Sequence, residues 1–440
     1  MKKYDLLVLG FGKAGKTLAK FAAAQGQNVA VVEQSSDMYG GTCINVGCIP
    51  SKTLVHEGLA HGMFSRAFSR KHDVVSALNN KNFHNLADDE KIEVFTNKAQ
   101  FKSDDVVALL DDAGQEVETL TAENIIINTG GKPNILPIKG VDTAKNLYDS
   151  TGIMNLAEQP DHLVIIGGGY IALEFASMFA NFGTKVTVLE YGDRIMPRED
   201  SEITEQAKSD LEDKGVRIVT GVNTESFEDK GNVTVVHTSA GDFEADAVLL
   251  ATGRVPNTDL GLENTSIKLG QRGEIEVNEH LQTAVPNVFA VGDVKGGLQF
   301  TYISLDDFRI VKDFLFGSKQ RTTGNRGAVP YTVFIDPPLS RIGMTAEEAA
   351  DKGIDYKEGK LPVAQMPRHK INNDTRGLFK VVIESETGRV LGATLYGAQS
   401  EEIINILKLA IDQNVTYDVL RDNIYTHPTM AENFNDLFNV

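Results

Sequence analysis

The only two cysteines of the chain, Cys43 and Cys48, stand five positions apart in GGTCINVGCIPSK, residues 40 to 52. A regular helix would turn their side chains about 140° apart, so bridging them needs a distorted turn at or before a helix start. So small a loop gains little from closure entropy, which makes the pair a poor staple and a good reversible redox couple. At a helix N-terminus a thiolate gains from unpaired N–H groups, and Pro50 suits a first helical turn. Gly40 and Gly41 leave room for the backbone to lie against a flat ring. The plainer possibility, two inert buried cysteines, accounts for none of these neighbours.

The elements that would position this pair begin upstream. YDLLVLGFGKAGKTLAKFAAAQGQNVAVVEQ predicts a buried strand, a glycine turn, an Ala-rich helix and a second strand ending at Glu33. Gly10, Gly12 and Gly15 satisfy G-x-G-x-x-G, which brings backbone N–H groups to a pyrophosphate, while Glu33 would accept from ribose hydroxyls. The letters GFGKAGKT also satisfy the P-loop pattern of nucleoside triphosphatases. A P-loop has no use for an acid at the end of the next strand, so Glu33 favours the dinucleotide, leaving Lys16 a solvated helix residue and Thr17 a locally packed one.

A second copy carries more weight than either pattern. DHLVIIGGGYIALEFASMFANFGTKVTVLE, residues 161 to 190, repeats the strand, Gly167-x-Gly169-x-x-Ala172, the helix and a terminal acid, Glu190. Two dinucleotides are therefore expected. Glu190 would repel a 2′-phosphate and favour NADH over NADPH, an inference that nearby Arg194 weakens.

Composition narrows the classes. With 43 Lys plus Arg against 61 Asp plus Glu, a net charge of −18, the chain offers no counter-charge to nucleic acid or an anionic membrane. MKKYDLLVLGFG opens like a signal peptide, but LLVL is too short and no cleavage site follows. No apolar run is long enough to span a bilayer. A cytoplasmic protein whose cysteines do chemistry is expected.

With two dinucleotide folds and a C-x₄-C segment, the chain resembles the flavoprotein disulfide reductases: lipoamide dehydrogenase, glutathione reductase, mercuric reductase and relatives. GGTCINVGCIPSK matches their redox-active motif, GGGYIALEF their nicotinamide motif, ATGRVPN and VFAVGD their domain-joining and flavin motifs, and HPTMAE their C-terminal acid–base motif. GFGKAGKTLA, MYGGTCINVGCIP, GGLQFTYISLDDFRIV and THPTMAENFNDLF are similar to the bacterial reactive-chlorine-resistance reductases, a branch associated with hypothiocyanous acid reduction and cupric ion reduction.

The resemblance implies an α/β chain of two Rossmann-like dinucleotide-binding domains plus a C-terminal α+β dimerisation domain. A discontinuous FAD domain would take residues 1–148 and 280–320, an NAD(P) domain 149–279, and the dimerisation domain 321–440. FAD would be held by Gly10, Gly12, Gly15, Glu33, Gly41, Thr42, Lys52, Thr129, Gly130, Gly292 and Asp293. NADH or NADPH would be held by Gly167, Gly169, Glu174, Glu190 and Gly253. In IIINTG, Asn128 replaces the usual alanine without evident consequence.

The resemblance also implies roles. Cys48 would be the charge-transfer thiol near the flavin, and Cys43, nearer solvent, the interchange thiol. Lys52, one helical turn beyond Cys48, would pair with Glu174 beside flavin N5. His427, oriented by Glu432, would exchange protons with the interchange thiol of the other subunit, which makes a homodimer obligatory. The absence of a third cysteine disfavours mercuric reductase and the large thioredoxin reductases. The segment GGLQFTYISLDD departs from the Ala-His-containing helix usual in lipoamide dehydrogenase, and its bulky Phe300 and Tyr302 would alter access to Cys43, which points to a small electrophilic oxidant such as hypothiocyanous acid. The alternatives are cupric reduction, with His369 in MPRHK as an added copper candidate, then lipoamide dehydrogenase or a glutathione-type activity. A flavin-bearing sensor would not need His427 and Glu432 in register.

Overall fold

The computed structural model describes residues 1–440. The chain forms two compact units, one of residues 1–54, 66–134 and 253–326, the other of residues 55–65, 135–252 and 327–440. Residues 253–279, placed by the sequence reading in the nicotinamide domain, thus lie in the first unit.

In the first unit, β1 (Lys2–Leu9) leads through the glycine turn to α1 (Lys13–Ala24) and β2 (Val29–Glu33). The apolar run of β1 and all of β2 are buried, as strands covered on both faces must be. Ala14, Leu18, Ala19, Ala22 and Ala23 form the buried stripe of α1, whose small side chains allow close helix–sheet packing. The sheet continues with β3 (Ile92–Thr96), β4 (Lys98–Phe101), β5 (Val106–Leu110) and β6 (Glu116–Ile127) in the order β3-β2-β1-β6-β5-β4. Pairing is parallel from β3 through β6 and antiparallel among β4, β5 and β6. Val288–Ala290 adds a parallel strand against the end of β6. Between β2 and β3 run a short helical turn, α2 (Thr42–Asn45), then α3 (Cys48–Leu59) and the long α4 (Phe64–Ala87), the polar helical region expected from sequence.

The second unit repeats the nucleotide fold. Its parallel sheet runs Arg217–Val219, Lys185–Leu189, His162–Ile166, Ala247–Leu250 and Leu147–Tyr148. An antiparallel sheet of five strands follows, from Tyr331–Val333 to Val390–Tyr396, with the helix Ser400–Asp412 on it. Phe434 and Phe438, from the last helical turn of the chain, are buried with Phe379, Leu395 and Leu407 in this core. Buried Lys380 meets Asp200, Glu202 and Glu358, and Tyr396 donates to Asp210 at 2.8 Å, joining the nucleotide fold to the C-terminal sheet. An ammonium buried this far is held by the several carboxylates around it. No helix is long and apolar enough to cross a membrane.

Candidate active site

The cysteine pair sits where a distorted turn was expected. Cys43 lies in α2, Val46 and Gly47 break the helical path, and Cys48 is the first residue of α3. Gly47 is required, since a Cβ there would stand 2.9 Å from the Thr42 carbonyl oxygen. The two cysteines are not joined in a disulfide; Cys43 is half-buried and Cys48 exposed. The Thr301 hydroxyl lies 3.6 Å from the Cys48 sulfur, at the start of the helix Thr301–Phe316. Phe300 and Tyr302 flank it, their rings stacked with centroids 5.1 Å apart.

The Cys43 thiol is pushed well up, first by its hydrogen bond to Cys48 and then by burial, while Thr301 and Lys16 pull it down. Two adjacent thiols resist double ionisation.

The glycine loop behind the pair is shaped by a residue that sequence reasoning passed over. Buried Asn128 accepts from the Gly15 N–H at 2.9 Å and donates to the Val291 carbonyl at 2.9 Å, so the substituted alanine position has a clear consequence. A Cβ on Gly12 would come 2.5 Å from the Asn128 amide oxygen, and one on Gly10, whose φ is 98°, would overlap the Asn128 carbonyl. Ser304 accepts from the Ala14 N–H at 3.1 Å. Gly41 is demanded by the protein itself as well: a Cβ there would stand 2.8 Å from the Gly12 Cα. Lys16, read as solvated, instead donates to the Gly40 carbonyl at 3.1 Å and to Asn82 at 2.6 Å. Thr17 packs locally, as expected, on the Lys13 carbonyl at 2.6 Å.

The remaining positions assigned to FAD surround this loop. Buried Glu33 accepts from the Phe11 N–H at 3.1 Å and the Ser35 N–H at 3.3 Å, and burial raises its carboxyl. Those two bonds leave acceptor capacity on the carboxylate. Thr129 spends its hydroxyl on the Asn257 carbonyl at 2.7 Å, and the Thr42 hydroxyl lies beside Gly130. The Gly292 N–H donates to buried Asp307 at 2.8 Å, a carboxylate also met by Arg326 and Lys295. Burial pushes the Asp293 carboxyl up against the pull of Arg254 and Lys295, and no protein hydrogen bond reaches it. A half-buried carboxyl in that state fits a hydroxyl-bearing ligand, and the close-packed glycine loop fits a pyrophosphate. These residues fit FAD.

In the second unit the glycine motif opens the helix Tyr170–Asn181. Gly167 has a φ of 111° and lies against the Ala251 carbonyl, but a Cβ on Gly169 would meet no protein atom within 4 Å. The fold does not demand that glycine, whereas a ligand's close approach would. Glu190 accepts from the Gly168 N–H and, at 2.6 Å, from the Gly192 N–H. Arg194 is turned onto the Pro197 and Glu199 carbonyls. Gly253, with a φ of 103° and open space at its Cβ position, falls in the first unit.

Glu174 accepts from the Phe334 N–H at 2.9 Å, and Lys52 donates to Ser51 at 3.3 Å. His427 Nδ1 lies 2.7 Å from Glu432, whose other oxygen accepts from the Thr429 N–H at 3.2 Å. With Nδ1–H assigned to the carboxylate, Nε2 is the nitrogen left for proton exchange, on a side chain that is 71% exposed. His369 does not serve as a surface copper ligand: it is fully buried against Phe379, and burial lowers its basicity.

A model of the pyridine nucleotide-disulphide oxidoreductase family matches residues 4–307, and a model of that family's dimerisation domain matches residues 329–438. The chain is 49% identical over its whole length to the probable pyridine nucleotide-disulfide oxidoreductase RclA of Escherichia coli K12, all of which is covered. It is 35% identical to dihydrolipoyl dehydrogenase of Geobacillus stearothermophilus, over 97% of this chain and 94% of that one. A solved structure described as the Cu(II) complex of the HOCl-induced flavoprotein disulfide reductase RclA from E. coli superposes with a TM-score of 0.97, covering 100% of this chain and 99% of that one at 49% identity.

Proposed function

The chain belongs to the pyridine nucleotide-disulphide oxidoreductases, and from that premise we propose that it spends NADH, through FAD and the Cys43–Cys48 dithiol, on a small oxidant, hypothiocyanous acid. The family uses FAD and NAD(P)H. Bound FAD supplies the two-electron relay between the nicotinamide and the dithiol. Carrying the reading is the pair itself: two thiols at a broken helix start, the second beside Thr301, with no third cysteine to receive a metal or pass electrons onward.

Cys43, once deprotonated, attacks the sulfur of hypothiocyanous acid. An S–S bond forms, the S–O bond breaks and hydroxide leaves. The Cys48 thiolate then attacks the Cys43 sulfur, closing the disulfide and releasing thiocyanate. One proton converts the hydroxide to water, so the net change is hypothiocyanous acid plus NADH giving thiocyanate, water and NAD⁺.

The raised Cys43 thiol needs a base, and the exposed His427 side chain held by Glu432 supplies one across a homodimer interface, from one protomer to its partner. The first unit holds FAD, the nucleotide fold of the second unit holds NADH, and the C-terminal sheet forms the dimer. As a consumer of NADH whose two cysteines do chemistry rather than brace the fold, the enzyme works in the cytoplasm.

The experiment is steady-state NADH oxidation by the purified yellow protein with hypothiocyanous acid, glutathione disulfide, lipoamide and Cu²⁺ side by side, repeated with Cys43→Ser. Fast turnover with hypothiocyanous acid, lost by at least about a hundredfold in Cys43→Ser, is expected. Unchanged turnover in that variant sinks the scheme. A second reading, cupric reduction, draws on the relative solved as a Cu(II) complex. No group of three or more His, Cys, Asp or Glu side chains here is arranged to hold a metal ion, and on this reading the dithiol itself meets copper. Copper reduction that disappears in Cys43→Ser would support that route.

A further inference from the structure

Lys16 takes no part in the chemistry above, yet it reaches the turn that carries it. Its Nζ is bonded to the Gly40 carbonyl and to the Asn82 side chain of α4. Asn82 is itself tied to the Leu78 carbonyl at 2.7 Å. Asn79, one turn earlier on α4, donates to the Ser36 carbonyl at 3.1 Å and to Asn45 at 3.0 Å. Asn45 in turn donates to the Tyr39 and Gly41 carbonyls, each at 3.0 Å. α1 and α4 therefore grip the segment leading into Cys43 from two sides.

The charges around Lys16 are few. Burial brings its ammonium down to about 8, the like charge of Lys13 on the same helix adds to that, and Cys43 on the turn opposes it. The partner that α4 presents, Asn82, is neutral. Cys43 is faced by Cys48, by the Thr301 hydroxyl and by Lys16, and only the last two favour its ionised form.

We propose that Lys16 is a positioning residue for the dithiol: its ammonium fixes the Gly40 carbonyl, and with it the turn that bears Cys43, while its charge favours the Cys43 thiolate. The proposal rests on the reading of Cys43 as the attacking thiol. As pH rises through about 8, Lys16 loses the charge that helps Cys43 ionise. Cys43 reactivity in the native protein therefore climbs less steeply with pH than a single titration.

The test is alkylation of the NADH-reduced, FAD-loaded enzyme by iodoacetamide, followed at the Cys43 peptide by mass spectrometry across neutral and alkaline pH. In Lys16→Met the profile is expected to move up by about one pH unit, a roughly tenfold slower reaction at neutral pH, with Lys16→Arg restoring most of it. A Lys16→Met profile that superimposes on the native one overturns the proposal, and so does a Lys16→Arg profile displaced as far as Lys16→Met. Should Lys16→Met fail to retain FAD, Asn82→Ala, which removes one of the two anchors, is expected to shift the profile less and in the same direction; an unshifted profile there overturns the proposal equally. The alkylation does not involve the oxidant. A failed hypothiocyanous acid assay would therefore sink the functional reading and leave the Lys16 result standing.

Discussion

The two glycine loops share a pattern and differ in what enforces it. In the first, each glycine of GFGKAG is demanded by the protein: Asn128 fills the space at Gly10 and Gly12, Val8 that at Gly15, and Glu33 is buried behind the loop. In the second, Gly167 is demanded by the Ala251 carbonyl, but Gly169 faces open space and Glu190 is half-buried. A loop clamped by its own fold is pre-organised and loses little entropy on binding, which suits a resident group. A loop whose key glycine answers only to a ligand suits one that comes and goes.

The sharpest way to break this contrast is Gly10→Ala. Both the positive φ and the overlap with the Asn128 carbonyl oppose it, so a loss of about 3 kcal/mol or more is expected, with release of flavin. Thermal melting and bound-flavin absorbance check both. Next in size is Asn128→Ala, which leaves the Gly15 N–H and the Val291 carbonyl unpaired and is expected to cost about 2 kcal/mol and weaken flavin retention. Native melting and flavin content in that variant would show that the first loop is no more clamped than the second.

Gly169→Ala is expected to act on the ligand alone. Its melting temperature should match the native protein, while KM for NADH rises roughly tenfold with kcat little changed, as a loss of uniform binding requires. If it unfolds, the comparison between the loops fails. Smallest is Glu190→Gln, which keeps one acceptor for the Gly168 and Gly192 N–H groups. A fall of about threefold in the preference for NADH over NADPH is expected from kcat/KM ratios.

Much of this was legible in the chain. Strand, glycine turn, helix, strand and terminal acid are local patterns, and both copies fold as read. The broken helix start at Cys43 and Cys48 agrees with the turn that a bridge at this spacing needs and with Pro50 in the first helical turn. The supports of these motifs were not legible, because their partners are remote: Asn128 meets Gly15 across 113 positions and Ser304 meets Ala14 across 290. Lys16 was misjudged for the same reason, its Asn82 partner standing 66 residues away. Helical periodicity alone could not separate a solvated lysine from one folded back beneath a turn. His369, attractive as a letter in a basic cluster, lost its copper role once its burial was seen.

Asn128 also bears on how such a protein can be recombined. Its amide joins the loop at Gly15, 113 positions before it, to Val291, 163 positions after it, so segments from opposite ends of the first unit answer to one side chain. A chimera that takes residues up to β5 from this chain and the remainder from a relative with alanine at that position would leave the Gly15 N–H with no acceptor. Crossovers on either side of the hub are therefore unequal. Those that keep the loop, Asn128 and Val291 together preserve a working cradle, and those that part them do not, which makes these distant stretches a single block of inheritance.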